Sequence, residues 1–500
     1  MFASMPQWLK QRAHLTPERI ALISEEETLT FSQLERKARA MALRLIALGV
    51  GPNTHVAALL ANKAPTVVFI HALMYARGVL VPLNTRLSVT ELAWQVTDAQ
   101  ASFVVYDDDH MEKIEGLKGR IPCPTIHLSQ LEEGEGPLVD PVTFDQPIDL
   151  NALNTIIYTS GTTGKPKGAM LSYGNHFWSA TGSALNLGLT KDDRWLCTLP
   201  LFHVSGLSIV MRSVIYGITM VLLSRFDPEK VLRWLDEFRI THISVVSTML
   251  AALVEHMPSG YRPNHLRVIL LGGGPCPQPL LHKCLDRHLP VYQSYGLTET
   301  ASQIVTLAPE DVPSKVGSAG KPLFPAQIRI IDQGRLAEPG QVGEIAVSGP
   351  NVTMGYYRRK EETAKAIRDG WLYTGDLGYL DDEGYLYVLD RRNDLIISGG
   401  ENIYPAEVES VLMEHPLIRE AGVIGQADPH WGEVPVAFVV TEKEARLSEE
   451  EIQAFCRDRL ARYKIPKKIL FVPQLPRNAT NKLLRRELRK WLEGEQPLLV

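Results

Sequence analysis

Cysteine is scarce in this chain: five residues in 500, Cys123, Cys197, Cys276, Cys284 and Cys456, scattered and without a CxxC pair. That excludes a disulfide framework and a thiolate zinc site, and leaves reduced, packed thiols as the expectation. An excess of one charge is lacking too, since 57 Asp and Glu oppose 52 Lys and Arg for a formal net charge of -5. Without a global basic field, neither nucleic acid nor an anionic membrane is expected as a partner. No apolar run reaches membrane-spanning length, and the stretch from Met1 to Trp8 lacks the charged and apolar regions of a secretory leader. A cytoplasmic protein is expected. Internal repeats and low-complexity tracts are likewise missing.

What is present is a composition 45% hydrophobic and 22% charged, too apolar for disorder and too long for one ordinary core. Ser32 and Glu35 have capping-box spacing, followed by Leu34, Ala38, Met41, Leu45 and Leu48 at steps of three and four, which predicts an amphipathic helix. Compact apolar runs then recur at His55 to Leu60, Val79 to Leu83, Phe103 to Tyr106, Ile156 to Tyr158, Val221 to Leu223, Ile243 to Val246 and Val268 to Leu271, with helical stretches between them. Strand and helix in alternation mean parallel sheets covered on both faces. Past about residue 345 the pieces become shorter and β-rich, and the last hundred or so residues carry apolar elements of their own. The expectation is an α/β protein: a large N-terminal domain over 1–390 with parallel-rich sheets layered with helices, and a small α+β domain over 391–500.

The sharpest local pattern is Tyr158-Thr-Ser-Gly-Thr-Thr-Gly-Lys-Pro-Lys-Gly168, directly after the apolar Ile156-Ile157. A strand leading into a loop rich in Gly, Ser, Thr and Lys suits a polyphosphate: glycines let backbone N–H groups approach, hydroxyls donate, and lysines add charge. Pro166 stands where a Walker A motif counted from Gly161 needs Gly, so P-loop ATPase chemistry is not indicated. The bland alternative is a surface loop of ordinary composition.

This stretch resembles the phosphate loop of the adenylate-forming superfamily, which includes acyl-CoA synthetases, nonribosomal-peptide adenylation domains and firefly-type luciferases. Further stretches resemble that family's motifs in its order: Leu271-Gly-Gly-Gly-Pro275, Gln293-Ser-Tyr-Gly-Leu-Thr-Glu-Thr300, Tyr373-Thr-Gly-Asp376, Asp390-Arg-Arg-Asn-Asp394 with Ser398-Gly-Gly-Glu-Asn-Ile-Tyr-Pro405, and Pro476-Arg-Asn-Ala-Thr-Asn-Lys482. The resemblance spans essentially the whole chain and implies ATP, Mg2+ and coenzyme A. It implies that Thr159, Ser160, Gly161, Thr162, Thr163, Gly164 and Lys165 hold phosphates, and that Gly272, Gly273, Gly274, Ser294, Tyr295 and Gly296 frame adenine. By the same resemblance Thr298 adds a hydroxyl to the phosphates, Glu299 is the magnesium carboxylate, and Asp376 with Arg391 binds ribose. Lys482 reaches the reacting carboxylate and the α-phosphate, where at ~4 Å a positive charge offsets roughly 4 kcal/mol of repulsion per unit charge. Two positions depart from the pattern: Asn481 where Gly is usual, and Asn393 at the pivot of a mobile C-terminal domain. Ser398, Gly399, Gly400 and Lys464 are expected to serve a second, thioester-forming state, the lysine facing coenzyme phosphates.

Acid specificity is expected from Leu201-Phe-His-Val-Ser-Gly-Leu207, with His203 as a wall and participant of the site and Ser205 beside it. Together with Asn175-His-Phe, Ser183 to Gly188 and Ser302-Gln-Ile-Val-Thr306, this stretch resembles the branch of the superfamily that ligates 2-succinylbenzoate to coenzyme A in menaquinone biosynthesis. That acid keeps one carboxylate that does not react. Arg212, inside the apolar Ile209 to Tyr216, is the candidate cation for it, with Ser302 and Gln303 completing polar contacts. Alternatively Arg212 snorkels to the surface or pairs with an acid. Two rival functions stay open: a medium-chain or aryl acyl-CoA synthetase, which would share every ATP motif, and a non-catalytic nucleotide-binding relative. A homodimer is the base-rate expectation.

Overall fold

A computed structural model describes residues 4–132, 144–159, 166–274, 276, 278–390, 395–442, 447–476 and 483–494. Two large sheets come first. One runs Lys167–Ser172, Leu153–Thr159, Val79–Pro82, His55–Leu59, Phe103–Tyr106, Thr125–His127, parallel except at its first pair. The other has nine strands, with a parallel centre of Val291–Leu297, Val268–Leu271, His242–Val245, Arg194–Cys197, Thr219–Leu222 and Ile20–Ile23 and antiparallel strands at both edges.

Helices fill the space between these sheets. Ala64–Tyr75, apolar but for Thr66 and His71, is buried at every position but Pro65, as a helix clad on all sides must be. Phe31–Ala47 buries Phe31, Leu34, Ala38, Met41, Ala42 and Leu45 along one stripe. Its capping box differs from the expected Ser32 and Glu35. Thr30 caps it and Gln33 answers, because Phe31 is fully buried as the first helical residue; Glu35 instead accepts a hydrogen bond from Tyr75 Oη at 3.1 Å. Each fully buried Leu or Phe in this shared core contributes about 1.5–3 kcal/mol.

The β-rich part starts earlier than its sequence texture suggested, at Gln327, and its sheet is antiparallel throughout. That sheet ends with Leu386–Asp390. A last sheet follows, built on the hairpin Ile418–Asp428 and Gly432–Thr441 and flanked by Pro405–Met413 and Glu449–Arg457.

This last unit is tied to the first sheet's helix Val89–Asp98. Ser88 Oγ and Thr90 Oγ1 donate to the carbonyls of Arg459 and Asp458. Glu91 completes the capping box of that helix with Oε2 and accepts Lys464 Nζ on Oε1 at 2.7 Å, while Glu407 accepts the same ammonium at 2.8 Å. Burial opposes the charge on Lys464, but its two carboxylates outweigh it and raise its pKa. Glu407 is also raised, by burial first and by the like charge of Glu91, because two carboxylates share one cation. Lys464→Met strands both carboxylates, and breaking such a buried pair costs about 3–5 kcal/mol. The variant is expected to scatter X-rays as a more extended particle; an unchanged scattering curve contradicts this account of the docking.

Candidate active site

Carboxyl ends of parallel strands form the rim of a cavity of about 1910 Å³, counting its open mouth. It is the place where α/β sheets bind ligands, because loops leave the strands there with polar backbone unspent. Tyr158 and Thr159 reach it from the first sheet, and Ser244, Val245, Gly272, Gly273, Ser294 and Gly296 from the second.

Gly273 has φ +81, and a Cβ there would lie 3.1 Å from Val246, so the rim needs glycine at this point. Gly274 lies against Ile397 of the last unit. Ser294 Oγ donates to the Leu271 carbonyl, tying the two neighbouring strands. Tyr295 departs from its expected role. Its ring sits in the core away from the cavity wall, and its hydroxyl donates to Asp376 Oδ2 at 2.7 Å, because the alternation of its strand turns it inward between Ser294 and Gly296. Asp376 itself lines the cavity. Thr298 and Glu299 follow on the same wall, and Glu299 Oε1 accepts Tyr356 Oη at 2.8 Å. No cluster of three or more His, Cys, Asp or Glu suited to a metal exists among the described residues. A lone carboxylate beside a phosphate site is nevertheless the donor set Mg2+ uses when the other oxygens come from nucleotide and water.

The acid end of the cavity is built by the helix Val204–Tyr216 facing the second sheet. Arg212 is 1% exposed and lines the cavity. It neither snorkels nor meets an acidic partner among the described residues: Nη2 donates to Ser302 Oγ at 3.3 Å and Nε has no hydrogen-bond acceptor. Burial lowers its pKa, opposed by Tyr216, yet a guanidinium stays charged at neutral pH. Gln303 is 3% exposed and lines the same wall, and neither its Nε2 nor its Oε1 is satisfied among the described residues. Orphaned donors and a buried cation around one cavity require an outside partner, since each costs about 1–3 kcal/mol if left alone. Ala301 and Ser302 hold φ of 53° and 115°, strained values for non-glycine residues that aim this polar wall at the cavity.

His203 and Ser205 line the mouth side. His203 Nε2 lies 3.1 Å from Glu401 Oε2, and Glu401 also accepts Arg86 Nη1 at 2.9 Å and Asn84 Nδ2 at 3.1 Å. Burial works to raise the Glu401 carboxyl, but His203, Arg86 and Asn84 overcome it and hold the group at about 2. Ser398 is buried, Gly399 lies under Trp431, and Gly400, at φ +85, lines the cavity beside Val246.

Lys464 requires a correction. It borders the cavity, but the residue is 3% exposed and its ammonium is spent on Glu91 and Glu407, so it is no free cation for coenzyme phosphates. Ser160, Gly161, Thr162, Thr163, Gly164, Lys165, Arg391, Asn393, Asn481 and Lys482 lie outside the described residues. Sequence reasoning missed Glu401, Tyr356 and Glu91. Glu401 stood within the quoted Ser398 to Pro405 stretch and could have been found there, and Ser88 with Glu91 has capping-box spacing; the contacts of Glu91 with Lys464 and of Tyr356 with Glu299 join residues far apart in the chain.

Comparison with known proteins agrees with this geometry. Residues 9–357 match the AMP-binding enzyme family and residues 407–482 match the AMP-binding enzyme C-terminal domain. A curated 2-succinylbenzoate--CoA ligase of Bacillus cereus is 51% identical over 99% of this chain and all of that protein. Solved structures of o-succinylbenzoate CoA synthetase from Bacillus subtilis cover 97% of this chain. A double mutant bound with the product analogue OSB-NCoA is 49% identical, covers 98% of that chain and superposes with a TM-score of 0.92. The complex with the acyl-adenylate OSB-AMP, 49% identical over 98% of that chain, gives 0.76, and so does the complex with ATP and magnesium, 48% identical over all of that chain. By both family models and by its full-length identity to these relatives, the chain belongs to the AMP-binding enzyme family.

Proposed function

We propose that this protein ligates 2-succinylbenzoate to coenzyme A in menaquinone biosynthesis, with ATP and Mg2+, releasing AMP and pyrophosphate. The observation that carries the acid's identity is Arg212, a buried guanidinium facing the cavity with no carboxylate beside it among the described residues. A monocarboxylate would leave that charge uncompensated at a cost of several kcal/mol. The dicarboxylate supplies its counter-ion through the ring carboxylate, with Ser302 and Gln303 contributing hydrogen bonds, while the succinyl carboxylate points toward Thr298 and Glu299. A non-catalytic relative could dispense with Glu299, Asp376 and Lys482, and the chain keeps all three.

In the first half-reaction a succinyl carboxylate oxygen attacks the α-phosphorus as the bond to pyrophosphate breaks. In this reading Ser160 to Lys165 cradle phosphates, Asp376 and Arg391 fix ribose, Gly272 to Gly274 lie along the base, and Lys482 brings two anions together. Glu299 would hold magnesium, which would supply neutralisation of phosphate charge. In the second half-reaction the coenzyme thiol attacks the acyl carbonyl, the bond to AMP breaks, and the thiol proton passes to solvent. His203, Ser398 and Gly400 border that approach. The higher TM-score with the OSB-NCoA complex than with the adenylate and ATP complexes, at equal coverage, supports reading the present domain arrangement as the thioester-forming one. The division of labour between residues 1–390 and 391–500, a cytoplasmic location and a homodimer belong to the same proposal; mass measured in solution tests the last.

Arg212→Leu is expected to raise the KM for 2-succinylbenzoate by roughly 30–1000-fold, the equivalent of about 2–4 kcal/mol of charged hydrogen bonding, with the KM for ATP little changed. An unchanged acid KM contradicts the assignment. Lys482→Ala is expected to slow adenylation ~1000-fold while thioester formation from supplied acyl-adenylate persists. Equal loss in both half-reactions contradicts a role confined to the first.

A further inference from the structure

Nothing so far explains what keeps Arg212 in place. A buried guanidinium is ordinarily anchored by a carboxylate, but a carboxylate here would neutralise the charge and occupy the donors a ligand needs. The structure supplies a different anchor. The Arg212 guanidinium carbon lies 5.2 Å from the centroid of the Trp195 ring, within the range where a π-face attracts a cation. An aromatic face holds positive charge without accepting any of its N–H groups in their own plane, so attraction and availability coexist.

Trp195 is itself firmly fixed. It is 1% exposed, on the central strand Arg194–Cys197, and its Nε1–H donates to Ser244 Oγ at 3.0 Å. On the neighbouring parallel strand its register partner is His242, whose ring stacks on the indole at 4.8 Å and 29°. His242 Nδ1 lies 2.8 Å from Thr241 Oγ1. Burial, helped by Arg267 and Arg212 against Asp193, pushes His242 down to about 4, so the imidazole is neutral at pH 7 and adds no like charge behind the cation. Asp193, the nearest carboxylate in this layer, is engaged by both of its oxygens with Arg267 Nη2, at 2.7 and 2.9 Å.

We propose that Trp195 is a positioning and specificity residue: its π-face, braced by Ser244 and His242, holds the Arg212 guanidinium at the cavity wall with its donors open to the non-reacting carboxylate of the substrate. The proposal rests on the reading of Arg212 given above. It makes discrimination between a dicarboxylate and its monocarboxylate analogue depend on an aromatic ring that need not touch either acid.

The test compares thioester formation from 2-succinylbenzoate and from benzoylpropionate, which is the same acid without the ring carboxylate, in the wild type, Trp195→Leu, Trp195→Phe and Arg212→Leu. Trp195→Leu is expected to lower the ratio of kcat/KM values, dicarboxylate over monocarboxylate, about tenfold or more, through KM, with the KM for ATP unchanged; Trp195→Phe is expected to retain most of the preference. Equal losses on both acids, or Phe no better than Leu, overturn the proposal. Should the Leu variant fail to fold, a multiply fluorinated tryptophan at position 195 keeps the ring and weakens its π-face, and an unchanged ratio then overturns it. If Arg212→Leu leaves the ratio intact, the carboxylate reading itself falls; if Arg212→Leu collapses the ratio and the Trp195 variants do not, only the role of Trp195 falls.

Discussion

A positive charge sealed inside an apolar helix, with no counter-ion from the described protein, is the constraint on which the substrate end of this structure depends. Water would hydrate a guanidinium better than a protein core can, so the fold has to hold Arg212 by other means, packed between sheet and helix with its guanidinium 5.2 Å from the centroid of the Trp195 ring. The energy stored in that arrangement is recovered when an anion arrives. Under the proposed function, specificity follows from the same electrostatics as stability, since the ligand that completes the site is the one that carries the second carboxylate.

The nucleotide end obeys a complementary rule. Under the proposed function, phosphates and the reacting carboxylate join Asp376 and Glu299 in one cleft, a concentration of negative charge that calls for glycine-lined approaches and for cations. The last unit of the chain both closes this cleft and contributes to its wall. Glu401 reaches across to His203, Arg86 and Asn84, and Lys464 to Glu91, so two clusters of polar and charged pairs, one around the buried Glu401 carboxylate and one around the buried Lys464 ammonium, join the last unit to the cavity wall. Such pairs favour a discrete docked arrangement over a continuum, because each is costly when half-made.

Much of this was legible in the sequence, for reasons that differ by residue. Parallel strands such as Val268–Leu271 announce themselves as apolar runs, and a helix as apolar as Ala64–Tyr75, with only Thr66 and His71 polar, has no face left for water. Motifs with local chemistry, Thr298-Glu299 and Asp376, line the cavity. Arg212 was legible because a cation in an apolar helix contradicts its surroundings. What could not be read were choices between equivalent local patterns and contacts across distance. Thr30 with Gln33 and Ser32 with Glu35 are equally good caps until Phe31 must be buried. Tyr295 was expected to face a base, and only the alternation of its folded strand turns it to the core between Ser294 and Gly296. Lys464 read as a free cation because its partners, Glu91 and Glu407, are 373 and 57 residues away in the chain.

The measurement that bears most directly on the central claim is pyrophosphate release by the purified protein with MgATP, comparing 2-succinylbenzoate with benzoate, octanoate and acetate, each with and without coenzyme A, while thioester formation is followed in parallel. The account predicts pyrophosphate release and coenzyme-dependent thioester with 2-succinylbenzoate and little with the others. Preference for a monocarboxylate would contradict the role given to the buried cation, and silence with every acid would contradict catalysis itself.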